Sequence, residues 1–149
     1  MLSEQDKNNI FFVCSLIEYL GRKTKNRRAD IVRLLGKKEI ERQLELAEVN
    51  HNLSMEQISD ELMEEFHVSE GSYDSVGKCN YSVPSVFAIA KNYQRLIIND
   101  INVGKTLSDA FNDVFQSFIS DNISDFNSSV YYSSPEYLKA SYEAGRLLQ

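Results

Sequence analysis

The sequence predicts an all-α fold, a compact bundle of about seven helices with no significant sheet. Three observations predict it. Apolar residues recur at every third or fourth position along most of the 149 residues. The two prolines, Pro84 and Pro135, stand where that periodicity places helix starts, the positions at which proline costs least. No run alternates apolar with polar residues opposite a partner run: Ser129-Val130-Tyr131-Tyr132 has strand propensity but nothing to pair with. A composition of 42% hydrophobic and 26% charged residues is that of a chain with a core, and it excludes global disorder and collagen-like or linker-like sequence.

Taken in order, Ser3 precedes an acidic first turn, Glu4-Gln5-Asp6, and caps a helix that is apolar all round from Ile10 to Leu20. Such a helix belongs at the centre, with neighbours on several sides. Gly21, followed by Arg22-Lys23, is expected to end it. A short helix over about Arg27–Leu35 follows, with Gly36 as its terminating glycine, and a third runs from about Lys38 to Asn50. Ser54-Met55-Glu56-Gln57 reads as a capping box opening a fourth helix, with Met55, Ile58, Leu62 and Phe66 on one stripe. Residues 69–82 show no period and read as a loop. Pro84 is expected to start a long helix that Gly104 closes. Thr106 caps a sixth, whose Leu107, Ala110, Phe111, Val114, Phe115, Phe118 and Ile119 follow the helical period without a miss. Ser134-Pro135-Glu136 opens the last, expected to reach about Leu148. The organisation is an N-terminal helical half, 1–68, a loop or hinge, 69–83, and a C-terminal helical half, 84–149, within one compact domain.

Sixteen Lys and Arg against twenty-two Asp and Glu give a net charge of −6, which argues against a surface that binds nucleic acid everywhere. The charge is segregated: residues 1–42 carry +4 and the remainder −10. Residues 22–38 hold eight bases, including Arg22, Lys23, Lys25, Arg27 and Arg28, and one acid, Asp30. That patch can be a solvated face, meet an acidic partner or the chain's own acidic part, or follow a phosphate backbone. A helix-turn-helix with Gly36 at the turn is not supported, because Lys37 and Arg42 stand where apolar residues are required. Two cysteines, Cys14 and Cys79, form neither a disulfide framework nor zinc spacing. The N-terminus lacks a basic leader, and the apolar run breaks at Glu18, short of the roughly 20 residues of a membrane span. A cytoplasmic protein without membrane partners is expected.

The chemistry-bearing constellations are few. Gly104-Lys105-Thr106 resembles the end of a phosphate loop, but Asn99 stands where the earlier glycine is needed, and a helix precedes it. Glu48 with His51 and Glu64 with His67 are two Glu-x-x-His pairs, the spacing that puts carboxylate and imidazole on one helical face in di-iron bundles, and Glu18 could bridge. Both histidines fall at helix ends, where they more simply complement the helix dipole. Glu56, Asp60, Glu61, Glu64 and Glu65 crowd one helix as an acidic face. Tyr131 and Tyr132, on a loop, are the aromatic pair best placed for an interface. No catalytic set is legible, and no cofactor or metal is implied.

Phe11-Phe12-Val13-Cys14-Ser15-Leu16-Ile17-Glu18-Tyr19, Lys23-Thr24-Lys25-Asn26, Asp30-Ile31-Val32, Leu35-Gly36-Lys37-Lys38, Leu46–His51 and Ile58-Ser59-Asp60 resemble a small bacterial family of uncharacterised all-helical proteins. The likeness extends to Tyr81-Ser82-Val83-Pro84 and Ser117–Asp121. Genes of that kind neighbour toxin-like proteins, some resembling ADP-ribosyltransferases. The resemblance therefore implies an antitoxin-type or accessory protein that binds a toxin-like enzyme, and it supplies no functional residue. The expected mode is steric: a helical face and the Tyr131-Tyr132 loop cover the partner's cleft, while Arg22, Lys23, Lys25, Arg27 and Arg28 steer the encounter. The alternative is a nucleic-acid-associated regulator using residues 22–38. Oligomeric state is left open.

Overall fold

The computed structural model describes residues 2–149. Seven α-helices form among them, with no strand: α1 (Glu4–Thr24), α2 (Arg28–Asn50), α3 (Met55–Glu65), α4 (Val86–Asn102), α5 (Leu107–Gln116), α6 (Phe118–Ser124) and α7 (Pro135–Ala144), plus a single 3-10 turn, Val130–Tyr132. Helix α1 is the axis of the molecule. It packs along α2 on one side and α4 on the other and touches α3, while α5 bridges α2 and α4. One continuous core runs from Ile10 and Ile17 of α1 through Ile31 and Ile40 of α2 to Tyr93, Phe111 and Phe115. The Tyr93 and Phe115 rings stack with centroids 4.3 Å apart.

Most caps fall where the side chains predict them. Ser3 accepts from the Asp6 amide while Asp6 accepts from the Ser3 amide, a reciprocal box. Thr106 and Ser134 accept from Asp109 and Tyr137. Ser54 accepts from Gln57.

Four boundaries differ from expectation, whereas the break at Gly36 falls where it is expected. Gly21 does not end α1, which continues to Thr24 and closes on Lys25 in the left-handed conformation. Gly36, with φ 80 and ψ 165, separates the two expected helical stretches, which together make the kinked α2. Helix α4 begins after Ser85 rather than at Pro84, because the Ser85 hydroxyl accepts from the Ala88 amide and makes Ser85 the cap. The sixth expected helix is cut at Ser117, whose backbone is extended and whose hydroxyl donates to the Val114 carbonyl. Ile119 stays in the core across that break. The last helix stops at Ala144, where Gly145 adopts φ 77.

The loop after α3 has no helix, as expected, but it is pinned rather than slack. The Gly71 and Tyr73 amides donate to the carbonyls of Thr24 and Lys25, and the Asn26 side chain donates to the Ser69 carbonyl. A side chain at Gly71 would lie 2.5 Å from the Lys25 carbonyl oxygen, so this approach needs glycine.

Candidate functional site

The basic segment comes first, because it carries most of the residues expected to meet a partner. Arg28 does not reach the surface: it is fully buried beside an equally buried Glu18. The Arg28 Nε and one terminal nitrogen donate to the two Glu18 carboxylate oxygens at 2.9 and 2.8 Å. Its remaining donors reach the Asn26 carbonyl and the Ser75 hydroxyl. Arg22 joins at 2.7 Å from Glu18, with its guanidinium over the Phe126 ring. A charged group taken out of water must be paired, and a planar guanidinium matches a carboxylate in two places. The pair is therefore a structural knot, and Arg28 is removed from the set of surface residues. Burial pulls the Arg28 guanidinium down, but the Glu18 carboxylate beside it leaves it raised on balance.

Most of the other bases pair with the chain's own acids at the surface. Lys23 bonds Asp60 at 2.5 Å, Lys25 lies 3.3 Å from Glu70, Arg27 lies 3.7 Å from Asp121, and Lys37 bonds Asp109 at 2.7 Å. Hydrogen bonding to Asp109 raises Lys37, and the same bond holds Asp109 below the ordinary carboxylate range. The segregation of charge along the sequence is thus largely closed within the fold. A cleft of about 380 Å³ opens beside Arg27 and Tyr73, but its walls alternate Arg27 and Lys78 with Asp74, Asp121 and Asp125 and present no single charge to a ligand.

The di-iron arrangement does not assemble. Glu18 is committed to two arginines, and His51 and His67 are both exposed. Among the described residues no three His, Cys, Asp or Glu side chains converge on a metal position. Gly104-Lys105-Thr106 is a helix exit and a new cap. Lys105 is held there by Asp100 and Asp113.

Tyr131 and Tyr132 divide. Tyr131 is half-buried, edge-on to Phe126, and its carbonyl accepts from Asn92. Tyr132 is 70% exposed and stands edge-on to Tyr131, free to touch a partner.

The surface feature of clearest chemical character lies elsewhere, at the N-terminal end of α1. Phe11 and Phe12 are only partly covered, and Phe87 at the start of α4 is 57% exposed with its ring 5.8 Å from that of Phe11. With Ala47 and His51 of α2 and Met55 of α3 they bound a cleft of about 370 Å³. A second cleft, about 500 Å³, shares Asn9 with it and is bounded by Glu41 and Glu45 of α2 and Leu107 of α5. Of these three rings Phe87 is largely open to water, whereas Phe11 and Phe12 are half-buried against the core. The apolar character of α1 predicts neighbours on several sides. Helix α3 is short and α2 ends at Asn50, so the cover over Phe12 is only partial.

Among the described residues no helix is long and apolar enough to cross a membrane. Comparison of the chain with protein-family models, with curated proteins and with solved structures finds no match.

Proposed function

We propose that this chain is a non-catalytic interaction module that docks a protein partner through the cleft bounded by Phe11, Phe12, Met55 and Phe87. The observation that supports it most directly is the set of phenylalanines at the surface of an otherwise well-filled fold. Covering Phe87 on a partner contributes on the order of 1–2 kcal/mol, and the remaining exposure of Phe11 and Phe12 adds less. Tyr132 would add a contact at a separate face. The family resemblance makes the partner a toxin-like enzyme, which this protein would neutralise by covering its cleft, as an antitoxin does.

The test is co-expression with the product of the adjacent gene, followed by size-exclusion chromatography and a growth assay. Co-elution at micromolar concentration with relief of toxicity is expected, and Phe87→Ser with Phe12→Ser should abolish both while leaving the far-ultraviolet spectrum helical. Separate elution of the two unaltered proteins, with no change in toxicity, overturns the proposal. The nucleic-acid reading draws less support from this fold, because the bases it needs at Lys23, Lys25, Arg27, Arg28 and Lys37 already pair with carboxylates.

A further inference from the structure

The cleft has a charged wall as well as an apolar floor. Glu41, Glu45 and Glu48 project from α2 at spacings of four and three, which places them on one face over about two turns, ~10 Å of helix. All three are exposed, and they line two neighbouring clefts that share Asn9, Glu41 and Glu45 in one and Glu48 in the other. None makes an ion pair among the described residues, whereas most acids facing the basic segment do. Asp6 adds a fourth charge at the mouth. Its carboxyl is held below the ordinary range by the backbone and side chain of Ser3 and stays ionised while capping α1.

Like charges spaced along a helix destabilise it unless something opposite answers them. Here no ion pair among the described residues answers them: Lys37, one turn before Glu41 and within its field, is bonded to Asp109 instead. Resting on the docking reading above, we propose that the occupant is a cationic amphipathic helix of the partner. Its apolar stripe would seat on Phe11, Phe12, Met55 and Phe87, and its Lys or Arg residues would run along Glu41, Glu45 and Glu48. This is the helix-in-groove mode of recognition, with apolar anchors at i, i+3 or i+4, and i+7. The rings supply affinity, and the glutamates select against acidic helices and fix which side of the incoming helix faces α2. Lys91, 5.8 Å from the centre of the Phe11 ring, marks another part of the rim with the opposite sign. A second copy of this chain is a poorer occupant, because most bases of its Arg22–Lys37 segment are engaged internally.

Fluorescence anisotropy with labelled peptides of about 18 residues, long enough for several helical turns, tests this. One peptide carries a Leu/Phe stripe with Lys on the remaining face, a second replaces Lys by Glu, and a third scrambles the first. The Lys peptide is expected to bind, more weakly as NaCl rises from ~50 to ~300 mM, and the other two at least about tenfold more weakly. The Glu41→Gln/Glu45→Gln/Glu48→Gln variant should lose about tenfold for the Lys peptide. Glu61→Gln/Glu64→Gln/Glu65→Gln, the same charge change on α3, should lose little. Equal binding of Lys and Glu peptides, or equal loss in the two triple variants, overturns the proposal in favour of unspecific attraction. Self-association that the first triple variant abolishes also overturns it, in favour of a second copy. If the Phe87→Ser/Phe12→Ser variant loses the partner protein while no Lys peptide binds, the cationic assignment fails and docking stands. If that variant keeps the partner, the docking site itself is wrong.

Discussion

Arg28 sits in the middle of what reads as a surface patch, yet its side chain is the largest fully buried one in the protein. Each charge of the Glu18–Arg28 pair is tolerable only because the other is there, so removing one partner costs more than removing both. Arg28→Ala leaves the Glu18 carboxylate with Arg22 alone and should lower stability by about 3–5 kcal/mol in urea denaturation. Glu18→Leu combined with Arg28→Met should recover most of that loss; a double variant as unstable as the single one would mean that the knot contributes net stability. Tyr93 is another buried polar group whose partners lie inside. Its hydroxyl donates to the Ser120 carbonyl at 3.0 Å and lies 3.1 Å from the Ser124 hydroxyl, and burial pushes its ionisation well above the ordinary 10.0. Burial, with the Asp100 carboxylate, likewise pushes Tyr142 up to about 12. Folded tyrosines with raised values keep their protons where the unfolded chain has lost them. Their contribution is intact below pH 10.0 and is lost as pH rises from there towards the folded values. Melting temperature should therefore fall above about pH 10, and Tyr93→Phe, although less stable by about 1 kcal/mol at neutral pH, should fall less steeply.

At the level of the element, sequence patterns located every helix except α6, whose Asp121–Ser124 turn read as a polar stretch, and not every reason for the helix ends. Ser3, Thr106 and Ser134 were legible because a cap is a local event, one hydroxyl and one amide three residues on. Gly36 was legible as a break because a left-handed φ is open to glycine. Gly21 was misread because its role depends on a residue from another helix. A methyl there would stand 2.5 Å from the Arg28 Cδ, and Arg28 is held by hydrogen bonds that prevent it from moving aside. Helix α1 accepts glycine near its end to let the arginine pass. Gly21→Ala consequently reverses the usual propensity: alanine gains about 1 kcal/mol in an exposed helix, but here the variant should be less stable by about 1–3 kcal/mol. Equal or greater thermal stability of Gly21→Ala would show that the guanidinium can reseat. The docking cleft was invisible at this scale for a related reason. Periodicity marks which residues want cover, and only the lengths and positions of the neighbouring helices decide that Phe12 receives it in part and Phe87 hardly at all.

For the whole molecule, the arrangement of α1 decides whether the two sequence halves are separable. Residues 1–68 contain α1, α2 and α3, yet α1 buries one side against α4 of the C-terminal half as fully as the other against α2. The bases of the first half meet acids of the second at Arg27–Asp121 and Lys37–Asp109, and Arg28 reaches Ser75 in the connecting loop. Exposed pairs of this kind contribute little each, about 0–1 kcal/mol, so orientation comes chiefly from the shared core around Ile17, Tyr93 and Phe115. The connecting loop cannot serve as a loose hinge while its Gly71 and Tyr73 amides are bonded at the end of α1. Either half alone would leave one side of this core in water, more apolar surface than a fragment of that size can offset. Fragments 1–68 and 84–149 should each give a largely disordered far-ultraviolet spectrum, and co-expression should restore helix and co-elution. In the intact chain, the Gly71 and Tyr73 amides should exchange with solvent as slowly as those of α1. A folded, cooperative 1–68 fragment would show instead that α1 and α2 form a core of their own, with α4 docked upon it.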